Sequence, residues 1–176
     1  MMAIIYKKNG MKTEKLNAAD VEIAISSYIK PGNVIIPNVS WGFDLRHECD
    51  LLVVTKAGRL WEIEIKVSKS DIKADLKKRH QHRDERISRL YFAIPQALED
   101  CIYLIPERAG VLLVKENLVV TKAREPKQNG NYVCSDSDRI TLYRLGTLRI
   151  WGLKTALRDR IRDLAQIRQS QQLRFD

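Results

Sequence analysis

A β-hairpin over residues 48–66 constrains this chain more than any other stretch. It reads Glu48-Cys49-Asp50-Leu51-Leu52-Val53-Val54-Thr55, then Lys56-Ala57-Gly58, then Arg59-Leu60-Trp61-Glu62-Ile63-Glu64-Ile65-Lys66. Both arms are rich in aliphatic and β-branched residues, and a Gly-containing turn separates them. Gly at the third place of a three-residue loop suits a type I turn closed by a left-handed residue. That loop sets Thr55 opposite Arg59, Asp50 opposite Glu64 and Glu48 opposite Lys66, and directly opposed residues share a sheet face. One face then carries Cys49, Leu51, Val53, Trp61, Ile63, Ile65 and Val67, a core surface. The other carries Leu52, Val54 and Leu60 toward the turn, with Asp50, Glu64 and Lys66 at the far end. A slip of one residue would send Asp50 to the wrong face.

Two carboxylates about 5 Å apart repel by roughly 3 kcal/mol at an effective dielectric near 20, a cost that a cation in the gap would remove. Two carboxylates and a backbone carbonyl form a ligand set for Mg²⁺ or Mn²⁺, hard cations that keep several waters. Such an ion can acidify a bound water and neutralise charge on a phosphoryl oxygen. Lys66 lies two residues beyond Glu64 on the same strand face. Its compact ammonium can hold an attacking water or stabilise the charge of the transition state. These parts suit phosphodiester hydrolysis. The alternative is a charged strand end on a solvated sheet face.

Asp50, thirteen intervening residues, then Glu64-Ile65-Lys66 resembles the PD-(D/E)xK nuclease superfamily, with Cys49 where the motif has Pro, a position many members vary. The stretch EIEIKVSKSDIKADLKK followed by RLYFAIP is similar, more narrowly, to the MmcB-like DNA-repair proteins, over about residues 13–95. The resemblance implies that Asp50 and Glu64, with the Ile65 carbonyl, are metal ligands for Mg²⁺ or Mn²⁺ and that Lys66 is the catalytic lysine. Glu22 is a further candidate ligand, since related nucleases carry a carboxylate on the first helix; an exposed Glu on an amphipathic helix is its simpler reading. Glu48 is another candidate. DNA repair is the process the resemblance implies.

At 176 residues the chain has the length of one domain, enough to bury a substantial core. Lys and Arg number 31 against 22 Asp and Glu, a net charge of +9, which fits a polyanionic partner such as DNA. No apolar run approaches the roughly 20 residues that span a bilayer, so no membrane partner is expected. The N-terminus has no apolar signal core. Cys49, Cys101 and Cys134 lie far apart, which suggests reduced thiols in a cytoplasmic protein and argues against zinc.

Outside the hairpin, residues 1–11 form an apolar and basic arm, and residues 13–29 read as a helix capped by Thr13 and stopped by Pro31-Gly32. Residues 33–40 read as an edge strand or one with a bulge, because Pro37 interrupts them. In the loop that follows, Trp41 and Phe43 can stack on a base or close the core, and Asp44 and His47 stay uncommitted. Residues 68–82 read as a helix with Ser68 and Asp71 in capping-box positions. Lys69, Lys73 and Lys77 make a basic ridge on it at i, i+4 spacing, suited to DNA phosphates or simply to solvent. His80 and His82 have metal-like spacing but no third ligand. Residues 90–94 form a strand, 96–103 a short helix, and 111–114 with 118–121 a second hairpin. Residues 124–139 carry turn signals and read as a mobile loop or flap. Residues 147–169 read as a closing helix with a second basic ridge, Lys154, Arg158 and Arg162.

The expected fold is therefore α/β: a restriction-endonuclease-like αβββαβ core, its mixed sheet flanked by helices, in one domain spanning 1–176. The expected function is metal-dependent DNA cleavage in repair or recombination, with a nuclease-like DNA-binding module as the alternative. Oligomeric state is open, a homodimer being one option. Lys66→Ala is expected to abolish cleavage and leave folding largely intact.

Overall fold

The computed structural model describes residues 15–39, 42–45, 47–78 and 82–172. The expected N-terminal arm, Thr13, Trp41 and His80 lie outside them. The elements run α1 (Ala18–Tyr28), β1 (Val34–Val39), β2 (Cys49–Val54), β3 (Leu60–Ile65), α2 (Lys69–Asp75), β4 (Ile87–Pro95), a 3-10 helix (Gln96–Leu104), β5 (Gly110–Val114), β6 (Val120–Arg124) and α3 (Asp136–Gln172). The six strands form one mixed sheet in sequence order. β1, β2 and β3 are antiparallel, β3, β4 and β5 parallel, and β6 antiparallel to β5. This is the αβββαβ order of a restriction-endonuclease-like core, with β5, β6 and α3 appended.

The hairpin folds in the expected register, with Leu51 opposite Ile63, Val53 opposite Trp61 and Val54 opposite Leu60. Gly58 closes its turn at φ 78°, donating to the Thr55 carbonyl at 2.8 Å. A Cβ there would stand 2.6 Å from the Arg139 guanidinium and 2.9 Å from Val133, so both backbone and space require glycine. The ladder stops short of Glu48, which is exposed just ahead of β2. Lys66 instead donates its amide to the Ala93 carbonyl of β4 at 3.1 Å.

Period-two alternation buries both faces. Val21, Ala24 and Ile25 of α1 cover Leu51, Val53, Ile63, Tyr91, Ala93, Leu112 and Val114. The opposite face holds two apolar clusters. One joins Ile36, Leu52, Val54, Leu60 and Ile87 to Leu142 and Leu145 at the start of α3. The other joins Ile72 of α2 to Leu90, Phe92, Ile94, Val111 and Leu113. Cys49 sits in the first of these with Leu52, not on the Leu51 face that simple alternation assigns it. The edge pair kinks at Asn38, whose φ of 52° is left-handed, and Val39 and its partner Cys49 turn inward beyond it.

Other boundaries depart from the sequence pattern for local reasons. The first helix starts at Ala18, where Asn17 and Asp20 form a reciprocal capping box. The second ends at Asp75 instead of residue 82. Lys77 therefore leaves the ridge of Lys69 and Lys73 and lies in the turn after the helix, its amide bonded to the Ala74 carbonyl. Residues 125–135 are strapped down and do not form a loose flap. Asn129 donates its amide to Ser88 and its side chain to Asp84 and Ile87 carbonyls, and Cys134 donates its amide to Gly58. The turn-like Ser135 and Asp138 are a capping box that opens α3 well before residue 147. Only the start of α3 packs on the sheet. Beyond it the helix projects, with Leu153 66% and Leu157 61% exposed, so it does not close the core.

Candidate active site

A band of charged side chains separates the two apolar clusters on the α2 side of the sheet. Alternation along β3 puts Glu62, Glu64 and Lys66 on this face while Trp61, Ile63 and Ile65 face α1. Glu62 and Glu64 are buried to 0% and 1% exposure, which is rare for carboxylates unless they are paired. Asp50 reaches the same place from β2. One of its oxygens accepts the Ile65 amide at 2.7 Å and lies 3.7 Å from the Lys66 ammonium. The Lys66 ammonium donates to Glu64 at 2.6 Å and stands 3.3 Å from Asp75. Asp50, Glu64 and Lys66 thus converge as the hairpin register requires.

The remaining members come from α2 and the segment after it. Asp75 pairs with Lys78 at 2.9 Å, and Lys78 also lies 3.5 Å from Glu64. His82 bridges two acids, its Nε2 at 2.8 Å from Asp75 and its Nδ1 at 2.6 Å from Glu62. His47, from the loop ahead of β2, brings its Nε2 to 2.7 Å from the same Glu62 oxygen. Asp50 and Lys78, with side chains 40% and 39% exposed, form the mouth of this otherwise buried group.

Each ionisation state has a cause. Burial and the neighbouring Asp50 carboxylate push Glu64 up, against the pull of Lys66. Burial works against the charge on Lys66, but Glu64, Asp50 and Asp75 outweigh it and hold the ammonium protonated. Burial also opposes the charge on His82, yet Asp75 and Glu62 lift it to about 9, an imidazolium at neutral pH. Glu62 is held below its ordinary value because hydrogen bonds from His47 and His82 overcome its desolvation. Asp75 is lowered in the same way by His82 and Lys78. Half-buried Glu22 on α1 is raised by burial and then by the Asp50 carboxylate.

Among the described residues, the carboxylates Asp50, Glu62, Glu64 and Asp75 meet the cations Lys66, Lys78 and protonated His82, with Arg108 also in the field of Glu62. Among the described residues Glu64 Oε1 and Glu62 Oε2 are buried without a hydrogen-bond donor, His82 Nδ1 standing 3.8 Å from the former, so lone pairs remain that a cation would satisfy. Oxygen donors from Asp50 and Glu64, with the Ile65 carbonyl beside them in sequence, are of the hard type that Mg²⁺ or Mn²⁺ accepts. Burial changes one expectation: Lys66 neutralises three acids, so its removal leaves a buried charge uncompensated and must destabilise the fold.

Among the expected phosphate contacts, Lys69 and Lys73 are exposed on α2, and Lys77 is exposed beyond its end. Lys154, Arg158 and Arg162 are exposed on the projecting part of α3, with Lys154 over the Trp151 ring at 5.0 Å and Arg158 paired to Asp159.

Sequence reasoning missed Glu62, Asp75 and Lys78 and left His47 and His82 uncommitted. Glu62 was legible, since it stands two residues before Glu64 and so shares its face. The third partner that His82 lacked on its own segment is supplied from β3.

The chain belongs to the family described as DNA repair protein MmcB-like, whose model matches residues 30–130. That span contains the whole sheet and every member of the buried group from His47 to His82, and leaves out α1 and α3. No curated protein matches the chain. A solved structure described as SPO1766 protein of unknown function from Silicibacter pomeroyi is similar to it in fold. Its TM-score is 0.56 at 22% identity, covering 81% of this chain and 89% of that one. No helix among the described residues is long and apolar enough to cross a membrane.

Proposed function

We propose that the protein is a metal-dependent nuclease of the PD-(D/E)xK superfamily that cleaves DNA during repair. The observation that carries this reading is the convergence of Asp50, Glu64 and Lys66, with Glu64 Oε1 accepting no hydrogen bond from the described residues. Asp50, Glu64 and the Ile65 carbonyl would hold Mg²⁺ or Mn²⁺, with Glu22, within the field of Asp50, as a further candidate carboxylate. When bound, that ion supplies an acidified water and neutralises phosphoryl charge. Lys66 orients the water and offsets the growing negative charge with a cation already fixed in place. The Ile65 amide holds Asp50 against the strand end, so the carboxylate needs no reordering when DNA arrives. DNA would approach the half-exposed side of Asp50 and Lys78. Lys69, Lys73 and Lys77 are candidate phosphate contacts beside it, and Lys154, Arg158 and Arg162 are candidates on α3. DNA as the partner is supported by the family's description as DNA repair proteins and by the +9 net charge.

A second reading, a DNA-binding module of nuclease shape with little cleavage, is favoured by one observation. The Lys66 ammonium is engaged by Glu64 and Asp75 within the buried group, which leaves it less free to hold a water. The deciding experiment incubates nuclease-free wild-type protein and Asp50→Asn with linear and branched DNA in Mg²⁺ and in Mn²⁺. Cleavage by wild type that falls at least about 100-fold in the variant supports the enzyme. Binding without cleavage by wild type in both ions supports the module.

A further inference from the structure

Glu62, His47 and His82 play no part in the chemistry just proposed, yet they are buried to 0%, 9% and 2% exposure. Their donor atoms converge. His47 Nε2 lies 2.7 Å and His82 Nδ1 2.6 Å from one oxygen of Glu62. The two imidazole rings are perpendicular with centroids 5.1 Å apart, so they share this oxygen without stacking. We propose that His47, Glu62 and His82 form a second metal site, for a borderline divalent ion of the zinc class, beside the Asp50 and Glu64 oxygens, with His82 Nδ1 3.8 Å from Glu64.

Three observations point to an ion of that class. Two imidazoles and one carboxylate are a zinc ligand set, whereas Mg²⁺ favours oxygen throughout. The second Glu62 oxygen is buried without a hydrogen-bond donor among the described residues, and bidentate binding would give it a partner and complete four donor atoms. Finally, the far nitrogen of His82 is held by Asp75 at 2.8 Å. This is the carboxylate–histidine arrangement that orients metal-bound imidazoles and raises their basicity. The cysteine spacing that argued against zinc bears only on thiolate sites.

The ligands come from the loop ahead of β2, from β3, and from the segment between α2 and β4. An ion there would tie two connecting segments to the strand that carries Glu64 and Lys66. Its role is structural, since the donors are closed off from solvent. Donor atoms now 2.6–2.7 Å apart need to open to roughly 3.3 Å around an ion with bonds of about 2.0–2.1 Å, a small movement of two side chains. The ion would take the place of the protons that these hydrogen bonds now share.

The test uses full-length protein stripped with a chelator and titrated with Zn²⁺ in the presence of millimolar Mg²⁺. One equivalent should bind in wild type and equally in Asp50→Asn, which disturbs only the outer site. His47→Gln should weaken binding at least about 100-fold, and Asp75→Asn, a positioning change, by roughly 10- to 100-fold. X-ray absorption at the zinc edge of loaded wild type should reveal two imidazoles at about 2.0–2.1 Å. This measurement decides the matter even if His47→Gln fails to fold. The proposal is overturned by the absence of saturable Zn²⁺ binding in wild type, by a zinc spectrum without imidazole scattering, by unchanged affinity in folded His47→Gln, or by loss of the equivalent in Asp50→Asn.

Discussion

The two faces of β3 are buried to a similar depth by opposite means. Toward α1, Ile63 at 0% exposure packs among Val21, Ala24, Ile25, Leu51 and Tyr91. Such contacts are non-directional, so any apolar surface of suitable shape would serve. Toward α2, Glu62 at 0% and Glu64 at 1% are stabilised only by named partners at hydrogen-bonding distance. Those partners are gathered from β2, α2 and two connecting segments. One strand thus presents a tolerant face and an exacting one, and the candidate site lies on the exacting one.

Replacing Lys66 breaks the exacting face most severely. Lys66→Ala leaves Glu64, Asp75 and Asp50 with Lys78 as their one nearby ammonium among the described residues, so stability should fall by about 3–5 kcal/mol in urea unfolding, and cleavage should disappear with it. Lys66→Arg should recover part of the stability while cleavage stays low, because the planar guanidinium cannot replace a compact ammonium. Full stability in Lys66→Ala would mean that the buried charges are compensated elsewhere.

On the tolerant face, Ile63→Ala should cost about 2–5 kcal/mol through lost burial and the cavity left behind. Residual cleavage per folded molecule should be near wild type, since the register that opposes Asp50 to Glu64 is kept. A large loss of activity in the folded fraction would show the faces to be coupled.

Asp50→Asn sharpens the contrast. Its side chain is 40% exposed, so stability should move by no more than about 1 kcal/mol, and the amide oxygen can still accept from Ile65. Cleavage should nevertheless fall by a factor of at least about 100. Equal effects on both would place Asp50 with the structural residues.

The smallest effects belong to the exposed cations. Lys73→Ala with Lys77→Ala should change stability by less than about 0.5 kcal/mol. In a Ca²⁺ buffer, their loss should flatten the slope of log DNA affinity against log salt by roughly one unit per lost contact. An unchanged slope would assign those lysines to solvation alone.

This difference between faces also explains what the sequence revealed. A period of two and a glycine at the third loop position suffice to set Leu51 against Ile63 and Asp50 near Glu64, because hairpin register is a local property. Asp75, Lys78 and His82 are invisible to such rules. They lie in a segment that reads as one continuous amphipathic helix, and their place is decided where that helix stops at Asp75. Its residues then turn toward buried acids that no local pattern announces. The capping box of Ser135 and Asp138 misled in the other direction, since helix starts and turns use the same residues. Cys49 was misassigned because alternation fails past the left-handed Asn38.

The projection of α3 sets the size at which the molecule presents itself to its surroundings. A helix of 37 residues is about 55 Å long at 1.5 Å per residue, whereas a compact chain of 176 residues has a radius of gyration near 16 Å. Rotational diffusion should therefore be anisotropic. Small-angle scattering should give a pair-distance distribution with a long tail past the central peak. Trp151, 61% exposed on the rod, and Trp61, half-buried on the sheet, would each report on one part through anisotropy decay and quenching in variants that keep it as the sole tryptophan of the three. The rod carries its exposed side chains well beyond the sheet that holds the carboxylates.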